Sequence, residues 1–240
     1  MRRSTLNVLS FDVPGEYACA TGMSSPLDFP FLTTAASEGD AGDFEPVLRS
    51  SLAHRHRALG ATLEPRDGWL VPIAYPDETP RLEAGVTDVS HVGKLEVFAS
   101  AEPQDESIQD CLAVGPGHWV VVCRFAELTG LGRRLAASAE LVVDRTSAWC
   151  ALLLSGPSRD SLLRRLSHIR SVPGRGPLGK VPATILSRRT GYWLLFPQEF
   201  AQYGWDLAVD AAAPLGGGPV GVAAVAADDP LLAVQSPVGV

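Results

Sequence analysis

Apolar positions in this chain come in short runs separated by glycine, proline and aspartate, and the spacing within each run predicts an element. Between His118 and Arg124 the residues Trp119 to Cys123 are all apolar, which predicts a buried strand. Phe125 to Ala139 carries Leu128, Leu131 and Leu135 at steps of three and four, a helical face. Leu141–Val143 and Ala148–Leu154 read as strands, and Pro157 opens a helix with Leu162, Leu163, Leu166 and Ile169 inward. Val181–Ser187 and Tyr192–Phe196 read as paired strands. A helix from Pro197 to about Ala212 follows, with Phe200, Tyr203 and Leu207 on one face. Val220–Val225 reads as a last strand.

Upstream, Leu48, Leu52 and Leu59 share one face of a helix predicted over Glu45 to Leu59, with Gly60 as its stop. His54 and His56, two residues apart, point to different sides of it, so they cannot form a two-histidine metal site and are read as solvated. Thr62–Glu64 and Trp69–Ala74 are short strands around an Asp67-Gly68 turn, and a short helix near Glu78–Ala84 follows. Ala99–Asp110 reads as polar turn, and the glycine- and proline-rich Ser171–Lys180 as a loop whose Arg170, Arg175 and Lys180 serve as surface charge. Residues 1–44 lack periodicity and read as a partly ordered extension with a strand near Leu6–Phe11; residues 227–240 read as a tail. The mixed order of strands and helices over 45–226 predicts an α+β domain.

Composition narrows the function. A net charge of −7 disfavours nucleic-acid and anionic-membrane partners. The four cysteines have no Cys-x-x-Cys spacing, which argues against a zinc knuckle and suits a reducing cytoplasm. No apolar run approaches the roughly 18–20 residues of a membrane span. The basic Met1-Arg-Arg start is followed by a stretch broken by Asn7 and Asp12, a poor signal sequence. Residue usage resembles that of a high-GC bacterial genome. No nucleophile elbow, phosphate-cradling loop or dinucleotide fingerprint is present, and no metal is expected.

Candidate chemistry concentrates in Asp88-Val-Ser-His-Val-Gly-Lys94, just before an apolar alternation at Leu95, Val97 and Phe98. If this stretch is extended, Asp88, Ser90, Val92 and Lys94 share one face. Asp88 or His91 then serves as a general base, a role suited to histidine by its ordinary pKa. In the competing reading, Asp88 and Ser90 tie the turn that enters the strand.

Several segments resemble the glycine-cleavage T-protein, the tetrahydrofolate-dependent aminomethyltransferase. They are Ser51 to Trp69, then Pro72 and Tyr75, and Asp88 to Val97; in weaker form they continue through Leu153 to Pro157, Gly191 to Pro197, Trp205 and Pro219 to Gly221. The resemblance implies an α+β folate-binding domain with mixed or antiparallel sheets and flanking helices around a central cavity. It implies a transferase-like enzyme of one-carbon chemistry on a small molecule, with tetrahydrofolate as cofactor. The implied site adds Tyr75 and Tyr192 as aromatic walls, Ser90, Val92 where the family places a methionine against the pterin, and Arg188 for a folate glutamate tail. The family's Asp-bearing segment is absent after Phe98, its Gly-Tyr-Thr-Gly-Glu segment is replaced at Gly191-Tyr-Trp193, and the C-terminal barrel has no room. The short length resembles the gamma subunit of sarcosine oxidase, which implies larger flavoenzyme subunits or a homo-oligomer as partners. A folate-independent enzyme of specialised metabolism reusing the cavity is the third reading.

Overall fold

The computed structural model describes residues 47–169, 171–227, 229 and 231–233; the extension over 1–44, Arg170 and the last seven residues lie outside them. Three sheets organise the described chain. The largest runs in the order β10 (Gly174–Leu178), β11 (Val181–Arg188), β12 (Gly191–Pro197), β9 (Trp149–Ser155), β4 (Gly85–Asp88), β13 (Gly218–Pro219). A second has the order β6 (Asp110–Gly115), β7 (His118–Cys123), β5 (Gly93–Phe98), β8 (Leu141–Asp144). A third, small one has β1 (Leu48–Arg49), β3 (Trp69–Ala74), β2 (Thr62–Arg66). Pairing is antiparallel except for β1 with β3 and β13 with β4.

Side-chain alternation explains the layering. Along β9, Cys150, Leu152 and Leu154 face a core shared with helices α3 (Arg159–Leu166) and α4 (Ala201–Ala212), whereas Ala151 and Leu153 face the opposite way. Along β7, Val120 and Val122 meet Ala151 and Leu153 in one middle cluster, and Val121 and Cys123 pack on α2 (Leu128–Leu135). The order is therefore helices, sheet, sheet, helix, an α+β architecture. Strands covered on both faces need apolar residues at every covered position, which is why β7 from Trp119 to Cys123 and β9 from Trp149 to Leu154 are unbroken apolar runs. Each fully buried leucine or valine contributes roughly 1.5–3 kcal/mol to this packing.

Several elements differ from the sequence expectation. The 45–59 helix shrinks to α1 (Ala53–Ala58), because Leu48 and Arg49 instead pair with Trp69 and Leu70. Leu48 and Leu59 are exposed and only Leu52 of that leucine face is buried. The 171–180 loop contains β10, an edge strand on which Pro177 faces Pro182, and edge positions tolerate proline. Asp110–Gly115, for most of which the sequence suggests no element, pairs with β7 as β6. The expected strand at 220–225 is helix α5 (Val222–Ala226), preceded by the two-residue β13. On α4 the buried face is Ala201, Gly204, Trp205, Ala208 and Ala212; Phe200, just before the helix, and Tyr203 are exposed. Small residues there let the helix approach the sheet: a Cβ on Gly204 would run into the Phe196 ring.

Candidate functional site

The segment 88–94 is a crossover between sheets rather than one extended strand. Asp88 ends β4 in the large sheet, residues 89–92 turn, and Gly93 starts β5 in the other sheet. The backbone amide of Ser90 donates to Asp88 Oδ1 at 2.9 Å, and that of Val92 to the Val89 carbonyl at 3.2 Å. Asp88 and Ser90 therefore do tie the turn. Ser90 Oγ also accepts from the Ala151 amide at 3.0 Å, which fastens the turn to β9. Lys94 is fully buried and its ammonium reaches back to the carbonyls of Ser90 and Val92 at 2.8 and 2.9 Å. Burial pushes the Lys94 pKa down to about 8, against the pull of Cys150, Asp88, Asp144 and Cys123.

Asp88 has a partner that sequence reasoning missed. His56, on the inner side of α1 and 1 % exposed, places Nε2 2.8 Å from Asp88 Oδ2, and its Nδ1 lies 2.7 Å from the Tyr75 hydroxyl. The network assigns the histidine proton to Nε2, facing the carboxylate, and leaves Nδ1 to accept from Tyr75. Trp205 of α4 closes the site edge-on, with ring centroids 5.0 Å apart. Burial alone would raise the Asp88 pKa. The hydrogen bond from His56, with bonds from Ser50 and Ser90, outweighs it and holds the carboxyl well below the usual range. Burial first, and the Asp88 and Glu78 charges second, push the Tyr75 pKa far above its ordinary value. The spacing of His54 and His56 held the signal. Residues two apart on a helix cannot both face solvent when one side of that helix is buried, and here only His54 is outside.

The other candidates do not converge on Asp88. His91 is 8 % exposed and sits at the edge of a small pocket with Arg66 and Arg124. Val92 is 2 % exposed and packed among Trp69, Val89, Trp193, Leu231 and Leu232. Arg188 is committed to carboxylates, Nη1 to Asp110 at 2.6 Å and Nη2 to Asp229 at 3.1 Å, and lies over the Trp193 ring at 5.1 Å. Tyr192 donates its hydroxyl to Asp160 at 2.8 Å on the outer side. Arg175 reaches Glu96 at 3.4 Å, where His118 and Arg145 also meet that carboxylate.

Val92 is 2 % exposed within this apolar cluster and presents no open face to a tetrahydrofolate ring. The pocket that reaches His91 has about 210 Å³, below the roughly 300–1,000 Å³ of sites for drug-sized ligands. Among the described residues no group of three or more His, Cys, Asp and Glu is placed to hold a metal, and no helix is long and apolar enough to cross a membrane.

The helix–sheet–sheet–helix arrangement is that of an α+β domain, and its likeness is to the aminomethyltransferases. In both sequence and fold the chain resembles that family. It is 26 % identical over 219 residues to the aminomethyltransferase of Streptomyces avermitilis, covering 70 % of this chain and 58 % of the relative. With the aminomethyltransferase of Rubrobacter xylanophilus it shares 29 % identity over 155 residues, 49 % of this chain and 42 % of the relative. The chain thus spans about half the length of the curated relatives it matches. Among solved structures, the glycine cleavage system aminomethyltransferase T of Bartonella henselae superposes with a TM-score of 0.59 at 16 % identity, covering 75 % of this chain and 61 % of that one. A chain of the heterotetrameric sarcosine oxidase of Corynebacterium sp. U-96 gives 0.52 at 16 % identity, covering 72 % and 98 %. No protein-family profile matches the sequence.

Proposed function

We propose that this protein is an aminomethyltransferase-fold subunit that works beside larger amine-oxidising chains in one-carbon metabolism, and is not itself an aminomethyltransferase. The observation that carries this reading is the commitment of Asp88. Its carboxylate is bonded to His56, Ser90 and Ser50 in the interior. A general base needs access to the proton it takes, directly or through one water, and Asp88 has none. The likeness of the fold to a chain of a heterotetrameric sarcosine oxidase supports the same reading. The fold then serves as a rigid body held together by its polar crossover.

The test is co-expression with any flavin-bearing amine oxidase chains that the source genome encodes, followed by sedimentation. A stoichiometric complex is expected, together with no saturable tryptophan quenching when the isolated protein is titrated with 5-formyltetrahydrofolate. A monodisperse chain that ignores those partners and binds the folate saturably overturns the proposal.

A further inference from the structure

The large sheet carries a groove at its β10 side, on the face that holds the middle cluster. Residues directly opposite in neighbouring strands share a face. The register therefore sets Pro177 beside Pro182 and Pro197 beside Trp149, and in the adjoining row Arg175 beside Thr184 and Thr184 beside Leu195. Lys180, in the β10–β11 turn, stands at the near end. At about 630 Å³ the space lies within the roughly 300–1,000 Å³ of small-molecule sites. Proline rings and an indole make flat apolar walls that lose little side-chain freedom when covered.

Two polar groups interrupt that lining. Thr184 is 6 % exposed, and its hydroxyl has no hydrogen-bond partner among the described residues. That oxygen is not one of the unpartnered side-chain atoms sealed from solvent, so it opens on the groove. A hydroxyl placed this way satisfies its hydrogen bond only with something that enters. Lys180 is exposed and has no ion-pair partner among the described residues. Arg175 on the rim is already committed to Glu96 at 3.4 Å and His118 at 3.2 Å, so it serves as wall rather than anchor. Among the described residues no carboxylate lines the groove. Four strand positions separate Lys180 from Thr184, about 13 Å between Cα atoms. Pro182 and its row lie between them, and the lysine side chain shortens the gap to the length of one substituted ring.

We propose that this groove binds a single-ring aromatic acid that carries a polar group opposite its acidic arm. The ring lies on the row of prolines and Trp149, Lys180 meets the carboxylate, and the Thr184 hydroxyl bonds the far polar group. The inference does not rest on the subunit reading, since the groove involves neither Asp88 nor a partner chain.

The test is an NMR titration of the full chain, read at the Trp149 indole N–H and assigned with Trp149→Phe. The probes are 4-hydroxyphenylacetate, phenylacetate, which lacks the far hydroxyl, and tyramine, which exchanges the carboxylate for an amine. Saturable shifts are expected with 4-hydroxyphenylacetate, binding about threefold or more weaker with phenylacetate, and no saturable shift with tyramine. Lys180→Gln, a change at an exposed turn, should weaken both acids about threefold or more. Thr184→Val keeps the side-chain shape and should bring the two acids to equal affinity. Far-ultraviolet dichroism verifies that each variant is folded, and the two acids compared on the unaltered protein test the hydroxyl's part without any variant. The proposal is overturned by non-saturable shifts with 4-hydroxyphenylacetate, by equal affinity for the two acids in the unaltered protein, by tyramine binding as tightly as the acid, by unchanged affinity in folded Lys180→Gln, or by an undiminished preference in folded Thr184→Val.

Discussion

His56 Nε2 and Asp88 Oδ2 lie 2.8 Å apart with both side chains 1 % exposed, and so the first helix of the described chain is fastened to the end of β4. Breaking a buried pair by deleting one partner leaves the other uncompensated. Asp88→Ala and His56→Ala should each cost about 3–5 kcal/mol in urea denaturation. The double variant should cost clearly less than the sum, which identifies one coupled unit. Tyr75→Phe removes a donor at the far end and should cost about 1–3 kcal/mol. Additive losses would mean that the three residues act separately.

His91 should make stability depend on pH in a window that Asp88 does not reach. Burial first, then Lys94 and Arg66, lower its pKa to about 4 from 6.5, against the pull of Asp88. Between those values the unfolded chain binds more protons than the folded one, so stability rises with pH. Its contribution is complete above about pH 6.5 and is lost as pH falls toward about 4, an effect on the order of 3 kcal/mol. His91→Gln should flatten denaturation midpoints between pH 4.5 and 6.5, conditions chosen within that interval. An unchanged slope in the variant would assign the dependence elsewhere.

Arg188 and Asp229 hold the C-terminal segment against the middle cluster. Thr190 Oγ1 also donates to Asp229 at 3.0 Å, and Leu231 and Leu232 follow directly into the core. Asp229→Ala leaves the 8 % exposed Arg188 with Asp110 as its one carboxylate partner among the described residues. We expect a loss of about 3 kcal/mol, together with faster proteolytic cleavage after Arg188 or within 227–233, read by mass spectrometry. Cleavage rates equal to those of the parent chain would show that the segment is held by its leucines instead.

Gly156, at the β9–α3 junction, has φ +89° and faces the carbonyls of Leu82 and Glu83. A Cβ there meets backbone oxygen that no side-chain rotation relieves. Gly156→Ala should destabilise by at least about 2 kcal/mol, from the strained φ and the clash together. Gly216 also has positive φ, at +75°, but has open space around it, so Gly216→Ala should cost only the conformational term, about 1 kcal/mol. Comparing the two melting temperatures separates contact from conformation.

The residues that were legible in the sequence are those whose neighbours impose a uniform demand. β7 and β9 must be apolar on both faces, and an unbroken run such as Val120 to Cys123 records this directly. The two-residue offset of His54 and His56 marks one of them as inward, but the pairing of His56 with Asp88 was not legible, because it joins residues 32 apart through a tertiary contact. The leucine steps at 48, 52 and 59 misled for the opposite reason. They satisfy a helical period, yet the parallel pairing of Leu48 with Trp69 overrides local preference. β10 was hidden by prolines and glycines that only an edge position accepts. The crossover at 89–92 was visible as a concentration of polar groups, but its change of sheet was not, since a one-dimensional pattern does not say which layer a strand joins.

The two-residue strand β13 joins Gly85 and Val86 from almost the other end of the chain, in parallel register. A ribosome must therefore deliver nearly the whole domain before that flank of the large sheet has a neighbour. Until then β4 offers unpaired amides and carbonyls to any extended segment nearby. Chains halted shortly before Gly218 should accordingly remain prone to self-association during synthesis, and dependent on holding factors in the cell.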